Sequence, residues 1–334
     1  MSRRRVPDEV GIAGILILVV VVMSLLSPNF RTAGNFEVLL LNGAVVALLA
    51  LGQTFVLLTG GIDLSTGSNL ALTGMAAALG MQAGLPWWAA TLLALVVGVV
   101  VGLVNGVFVH YLRLPPFIAT FSMFGIAGSI PMILTGAASV TVRDPMFAFL
   151  GRGSVFGIPT PILVVALVAV VFSVLLARTS TGVHIYALGG NKETARLAGI
   201  HTGRTTLFVY AVSGLCAALA GVVTTSRLMV GYPSAGSGNE LFYSIAAAVV
   251  GGVSLFGGVG SIGGALLGAV LIATVSNGMN VVGVDSFWQP LVIGVIILAG
   301  VSLDTYRRSL STTGGRGRLL LQLLSPRRAS RATS

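Results

Sequence analysis

The sequence predicts an all-α integral membrane protein with about ten transmembrane helices. Three observations carry this. The 334 residues are 55% hydrophobic with a mean hydropathy of +0.99. Only 8% are charged, against roughly 25% in a soluble domain, too few to cover a water-facing surface. Finally, cutting the apolar runs at the roughly 20 residues that a spanning helix needs gives ten segments. They fall near residues 10–26, 37–58, 64–83, 87–109, 117–135, 159–177, 206–225, 241–256, 260–280 and 286–303.

The first segment lacks a small-residue cleavage site and is followed by further spans, so it reads as an uncleaved helix after a short N-terminal segment, 1–9. With that segment inside, the cytoplasmic side receives Arg3 to Arg5, Arg113, Arg178, Lys192, Arg196, Arg204 and the seven arginines of the tail 306–334. That is 15 of the 19 basic residues. Arg31, Arg143, Arg152 and Arg227 fall on the other side. The asymmetry follows the positive-inside rule and accounts for the net charge of +10 without nucleic acid. The Arg- and Ser-rich tail suits anionic lipid headgroups.

Between the second and third segments, and between the eighth and ninth, glycine pairs interrupt helix geometry in similar words: TGGIDLSTGS (59–68) and VGGVSLFGGVGS (250–261). Such breaks mark a substrate path in some transporters; an ordinary turn at the membrane face is the other reading. Gly98, Gly102 and Gly106, and Gly264 with Gly268, repeat every four residues. That spacing lets helix backbones approach closely, here within one subunit rather than at a dimer seam. Polar residues inside spans are few: Asn42, Gln53, Asn105, Asn277 and Asn280. Asp63, Glu240 and Asp285 lie near span ends, where hydration explains them most simply. Without buried ion relays, a neutral hydroxyl-bearing solute suits the pathway better than an ion.

The outer loop 136–159 carries Arg143, Asp144 and Arg152. It reads as a solvated loop or as a docking surface for an acidic partner. The central connection, Thr179 to Arg204, is a polar island with the chain's only lysine, Lys192. Asn191 can cap a short helix, KETARLA, that Gly199 would end. Glu193 in its first turn and Arg196 in its last both favour the helix dipole. A compact charged helix held between spans suits a handle for another protein.

Missing chemistry narrows the function. There is no phosphate-binding G-x-x-x-x-G-K-[ST] loop, no metal-binding histidine pattern, and one cysteine, so no disulfide. Ser213 in a span raises an intramembrane serine protease, but all three histidines sit at membrane edges, away from it.

Four motifs in order resemble the membrane permeases of ribose-type sugar importers of the ATP-binding-cassette class. They are LGQTFVLLTGGIDLSTGS (51–68), NGVFVHYLRLPPFIATF (105–121), TGVHIYALGGNKETARLAGI (181–200) and GGVSLFGGVGSIGGALLGA (251–269). The resemblance covers residues 10 to 305 and implies a type II-like ABC importer permease bundle. It also implies a cytoplasmic coupling loop (178–205), in which Gly189, Gly190, Asn191, Glu193, Ala195, Arg196 and Gly199 dock on the ATPase. Two permeases, two copies of one chain or two related chains, would pair around a central pathway. ATP and Mg would sit on separate ATPase subunits, with no cofactor on this chain, and a soluble sugar-binding protein would deliver solute from outside. On this reading Gln53, Asp63, Ser65 and Asn105 border the pathway, and Arg143 and Arg152 meet the binding protein. The location expected is the bacterial inner membrane, with both termini cytoplasmic. The rival reading is a stand-alone secondary carrier or channel for small neutral solutes.

Overall fold

A computed structural model describes residues 8–236, 239–302 and 304–305. The basic N-terminal residues 1–7 and the tail 306–334 lie outside the described residues. The chain is an all-helical bundle: α1 (Asp8–Leu26), α2 (Ala33–Leu58), α3 (Thr66–Gln82), α4 (Trp87–His110), α5 (Pro116–Thr135), α6 (Pro145–Arg152) and α7 (Thr160–Arg178) come first. Then follow α8 (Ser180–Gly190), α9 (Lys192–Leu197), α10 (Thr202–Leu228), α11 (Glu240–Val250) and α12 (Ile262–Val282), with α13 at Trp288–Ser302. Each of the ten predicted segments coincides with a helix. Among the described residues six, α2, α4, α5, α7, α10 and α12, are long and apolar enough to cross a membrane.

Helices α3, α11 and α13 are shorter, and the apolar part of α1 is only Val10–Leu26. The predicted segment 241–256 forms helix only to Val250, and 251–261 is irregular. Eleven helical residues reach only about 16 Å, roughly half the thickness of a bilayer core. In the irregular stretch, Gly258 N donates to Leu58 O at the end of α2 (2.9 Å).

The bundle is built around α10 and α2, whose side chains are largely buried, whereas α4, α5 and α7 turn apolar flanks outward. The glycine repeats lie inside this one chain. A Cβ at Gly102 would overlap Tyr210 O, one at Gly98 would come within 2.6 Å of Gly214 O and Ala218 Cβ, and one at Gly106 would lie 3.0 Å from Leu207 Cα. Helices α4 and α10 thus cross backbone to backbone, as small residues allow. Gly264 and Gly268 do the same against Gly251 and Ala247. We expect Gly102→Ala to cost about 1–3 kcal/mol by overpacking. Gly125→Ala on α5, where nothing lies within 4 Å, should be near neutral. Thermal unfolding of the two variants in detergent checks the contrast.

The loop 136–159 is more ordered than a solvated loop. Helix α6 is capped by Asp144, whose Oδ1 accepts from Met146 N (2.8 Å) and Phe147 N (3.0 Å). Phe147 is buried, and Ser226 Oγ donates to its carbonyl (2.5 Å). Two short antiparallel ladders complete the layer: β1 (Val140–Thr141) on β4 (Val230–Gly231), and β2 (Ser154–Val155) on β3 (Ile158–Pro159).

Candidate functional site

The central connection contains more structure than one short helix. Residues 180–190 form α8, capped by Thr179, whose Oγ1 accepts from Gly182 N (3.3 Å). Its glycines disfavour helix, but Ile185 and Leu188, three residues apart, are buried in the core and hold it there. Helix α9 follows as its sequence predicts. Asn191 Oδ1 accepts from Thr194 N (2.9 Å), and the chain leaves through Gly199 at φ +82°, a conformation that suits glycine.

The seven residues assigned to docking separate into two groups. Gly190, Asn191, Glu193, Arg196 and Gly199 are exposed. Glu193 and Arg196 pair through two hydrogen bonds, Nη2 to Oε1 (2.5 Å) and Nε to Oε2 (3.2 Å). This hydrogen bond and the guanidinium charge hold the Glu193 carboxyl below the usual glutamate range. Leu197 stands 76% exposed beside them. Ala195 and Gly189 do not belong on that surface. Ala195 is buried, and a Cβ at Gly189 would overlap Leu58 O and come within 2.5 Å of Gly258 N. Gly189 is thus a packing point.

That packing point is where the two glycine breaks meet. Gly257 and Gly258 have φ of +85° and +77°; a Cβ on Gly257 would lie 2.7 Å from Gly60 N and 2.9 Å from Gly189 Cα. Tyr186 Oη donates to Gly260 O (2.9 Å). Helix α8, the 59–65 break and the 251–261 break therefore share one bare-backbone junction.

Just beyond the first break lies a closed polar cluster. Asp63 accepts at Oδ1 from Ser65 N (2.9 Å) and Ser65 Oγ (2.6 Å), and at Oδ2 from Ser213 Oγ (2.7 Å). Asn105 Nδ2 donates to Ser65 Oγ (2.8 Å). The Gln53 amide donates to Asp63 O (3.0 Å) and accepts from Asp63 N (3.3 Å). The structure thus brings Gln53, Asp63, Ser65 and Asn105 together, but none borders open space; all are 0–1% exposed. In this conformation they join α2, α3, α4 and α10, and do not line a passage. Hydration does not explain Asp63 either; three hydrogen bonds do, as burial of a carboxylate requires. Ser213, whose hydroxyl serves Asp63, is a structural donor and not a nucleophile. Sequence reasoning could not pair it with a residue 150 positions away.

On the opposite end of the bundle, Arg143 is exposed and lines a shallow cleft beside β1. Arg152 Nε donates to Arg227 O (2.5 Å), so part of its guanidinium pins α6 to the end of α10.

Comparison with known proteins fits this arrangement. Residues 35–301 match the family model described as "Branched-chain amino acid transport system / permease component". The "Probable ABC transporter permease protein y4mJ" of Sinorhizobium fredii is 40% identical over 302 residues, 90% of each chain. The "Ribose import permease protein RbsC" of Escherichia coli is 40% identical over 297 residues, 88% of this chain and 92% of the relative. The "D-allose transport system permease protein AlsC" of the same organism is 40% identical over 299 residues, 89% and 91%. No solved structure matches. With the family model covering most of the chain, relatives matched almost end to end, and an apolar helical bundle, the chain belongs to this permease family: it is a multi-pass membrane subunit of a transport system.

Proposed function

We propose that the chain is the permease subunit of an ATP-driven sugar importer in the bacterial inner membrane. The observation that carries this is the α8–α9 arm. It presents a charged, capped helix with an exposed leucine at one end of the bundle, and it is seated backbone to backbone on both breaks. A force on α9 would reach α2 and the 251–261 segment through Gly189 without an intervening side chain. That is the construction needed to turn a partner's closure into a switch of the bundle between two rigid arrangements.

On this reading α9 lies in the cytoplasm with both termini. Gly190, Asn191, Glu193, Arg196 and Gly199 face the ATPase subunit, which carries ATP and Mg, and hydrolysis there resets the cycle. The transmembrane domain is residues 10–305, and the basic tail, 306–334, meets lipid headgroups. A second permease, identical or related, completes the central pathway. A sugar-binding protein approaches the far end, where Arg143 and the free part of Arg152 would meet its carboxylates. Relatives named for ribose and allose favour a sugar over the amino acids in the family model's description.

Replacing Glu193 and Arg196 together with alanine should lower uptake at least about tenfold, since charge pairs across an interface couple by a few kcal/mol, while membrane abundance stays unchanged. Because the Arg196 hydrogen bond and charge hold the Glu193 carboxyl below its ordinary range, the ion pair should persist as pH falls through that range and break only below it. Uptake of radiolabelled D-ribose, D-allose and L-arabinose into vesicles, together with copurification of a nucleotide-hydrolysing subunit, tests the assignment. A purified, transport-competent protein without such a subunit would overturn it.

A further inference from the structure

At the end of the bundle away from α9, the tips of α2, α10, α11 and α12 enclose a recess of about 260 Å³. Its wall alternates apolar side chains with Asn42, Thr224, Arg227, Glu240, Ser276 and Asn280. Most of these polar groups are fixed by partners. Arg227 Nη1 donates to Asn42 Oδ1 (2.8 Å). Gln289 accepts from Tyr243 Oη (2.8 Å) and Ser276 Oγ (3.1 Å) and donates to Asn280 Oδ1 (2.6 Å). Behind them, Asn35 and Asn277 exchange two amide hydrogen bonds of 3.0 Å each.

Two groups break the pattern. Glu240 Oε2 and Thr224 Oγ1 are closed off from solvent and have no hydrogen-bond partner among the described residues. Leaving such groups unmatched is costly. Both belong to residues that wall the recess. A carboxylate oxygen accepts only, and a hydroxyl both donates and accepts. A small solute with several hydroxyls would satisfy both once the two side chains turn toward the recess, whose volume lies just below the usual range of ligand pockets.

We infer that this recess is a sugar-binding station within a single subunit, in which Glu240 accepts from, and Thr224 exchanges hydrogen bonds with, the hydroxyls of a passing pentose or hexose. The fixed amides and Arg227 shape its wall. This rests on the sugar-importer reading.

The experiment uses the complete importer, with its ATPase and binding protein, in proteoliposomes. The probes are radiolabelled D-ribose, D-allose and L-arabinose, with L-leucine as the amino-acid comparison. For whichever sugar the unaltered importer carries, Glu240→Gln and the isosteric Thr224→Val should each lower the initial uptake rate, by about tenfold and about threefold, the loss expected for one hydrogen bond. Rates are scaled to membrane abundance, and Thr224→Val keeps the test alive should Glu240→Gln fail to fold. The only native cysteine, Cys216, is buried, so in a Thr224→Cys variant an impermeant maleimide reports on position 224. The transported sugar should slow that labelling and leucine should not. Uptake within twofold of the unaltered importer in both variants, or protection by leucine and not by sugar, would overturn the inference. If the unaltered importer carries none of the three sugars, it is the importer assignment that fails.

Discussion

Gly189→Ala should abolish uptake, whereas Gly263→Ala, where nothing lies within 4 Å of the new methyl, should leave it within about twofold, as for surface substitutions generally. The added Cβ at position 189 has nowhere to go. Leu58 O stands on one side and Gly258 N on the other, and these two atoms' residues are themselves joined by a hydrogen bond. Both neighbours are backbone, so no rotamer change makes room, and α8 must lift off the junction. Overpacking of this kind costs about 1–3 kcal/mol or more. Here the cost falls on the contact through which α9 would act. Uptake assays at matched membrane abundance, with ATP hydrolysis measured alongside, separate the outcomes. Hydrolysis that continues without uptake marks a severed link, and full uptake by Gly189→Ala would remove Gly189 from the coupling route.

Asp63→Ala should lower stability more than any other single truncation in the polar cluster. It strips the acceptor from Ser65 N, Ser65 Oγ and Ser213 Oγ together, and all three donors stay buried. Each unmatched group costs about 1–3 kcal/mol, so the midpoint of thermal unfolding in detergent should fall by roughly 10 °C. Asp63→Asn keeps a carbonyl oxygen, and the serine hydroxyls can rotate to accept from its amide, so its loss should be smaller. Ser213→Ala removes one donor and should fall between Asn and unaltered. Equal midpoints for Asp63→Ala and the unaltered protein would show that the cluster does not hold the helices together.

Much of this was legible in the sequence because a bilayer imposes a length. Apolar runs near 20 residues locate the helices, and Asn191 with Gly199 brackets α9. Local chemistry could have exposed α6 as well, since Asp144 before Pro145 is a helix start. Helix α8 was hidden by its glycines, although Ile185 and Leu188 carry the helical spacing. What no local pattern encodes is which distant backbones touch. Gly189 reads as part of an exposed loop, yet its neighbours are residues 58 and 258. Gln53, Asp63, Ser65 and Asn105 each stand out as polar residues in an apolar chain; that they hydrogen-bond to one another away from water, with Asn105 Oδ1 left unmatched, depends on distant partners such as Ser213, contributed by α10. Asn42, Glu240, Asn277 and Asn280 stand out in the same way, but only the crossing of four helix tips gathers them around one recess.

The seam between α4 and α10 carries a further consequence. Helices that interlock through side chains can slide by a rotamer at a time; where Gly98, Gly102 and Gly214 bring main chain against main chain, no such intermediate layer exists to creep. The two helices must therefore tilt as a single beam. Any rearrangement of the membrane domain during a transport cycle has to hinge elsewhere, at joints where side chains, or another polypeptide, fill the gap.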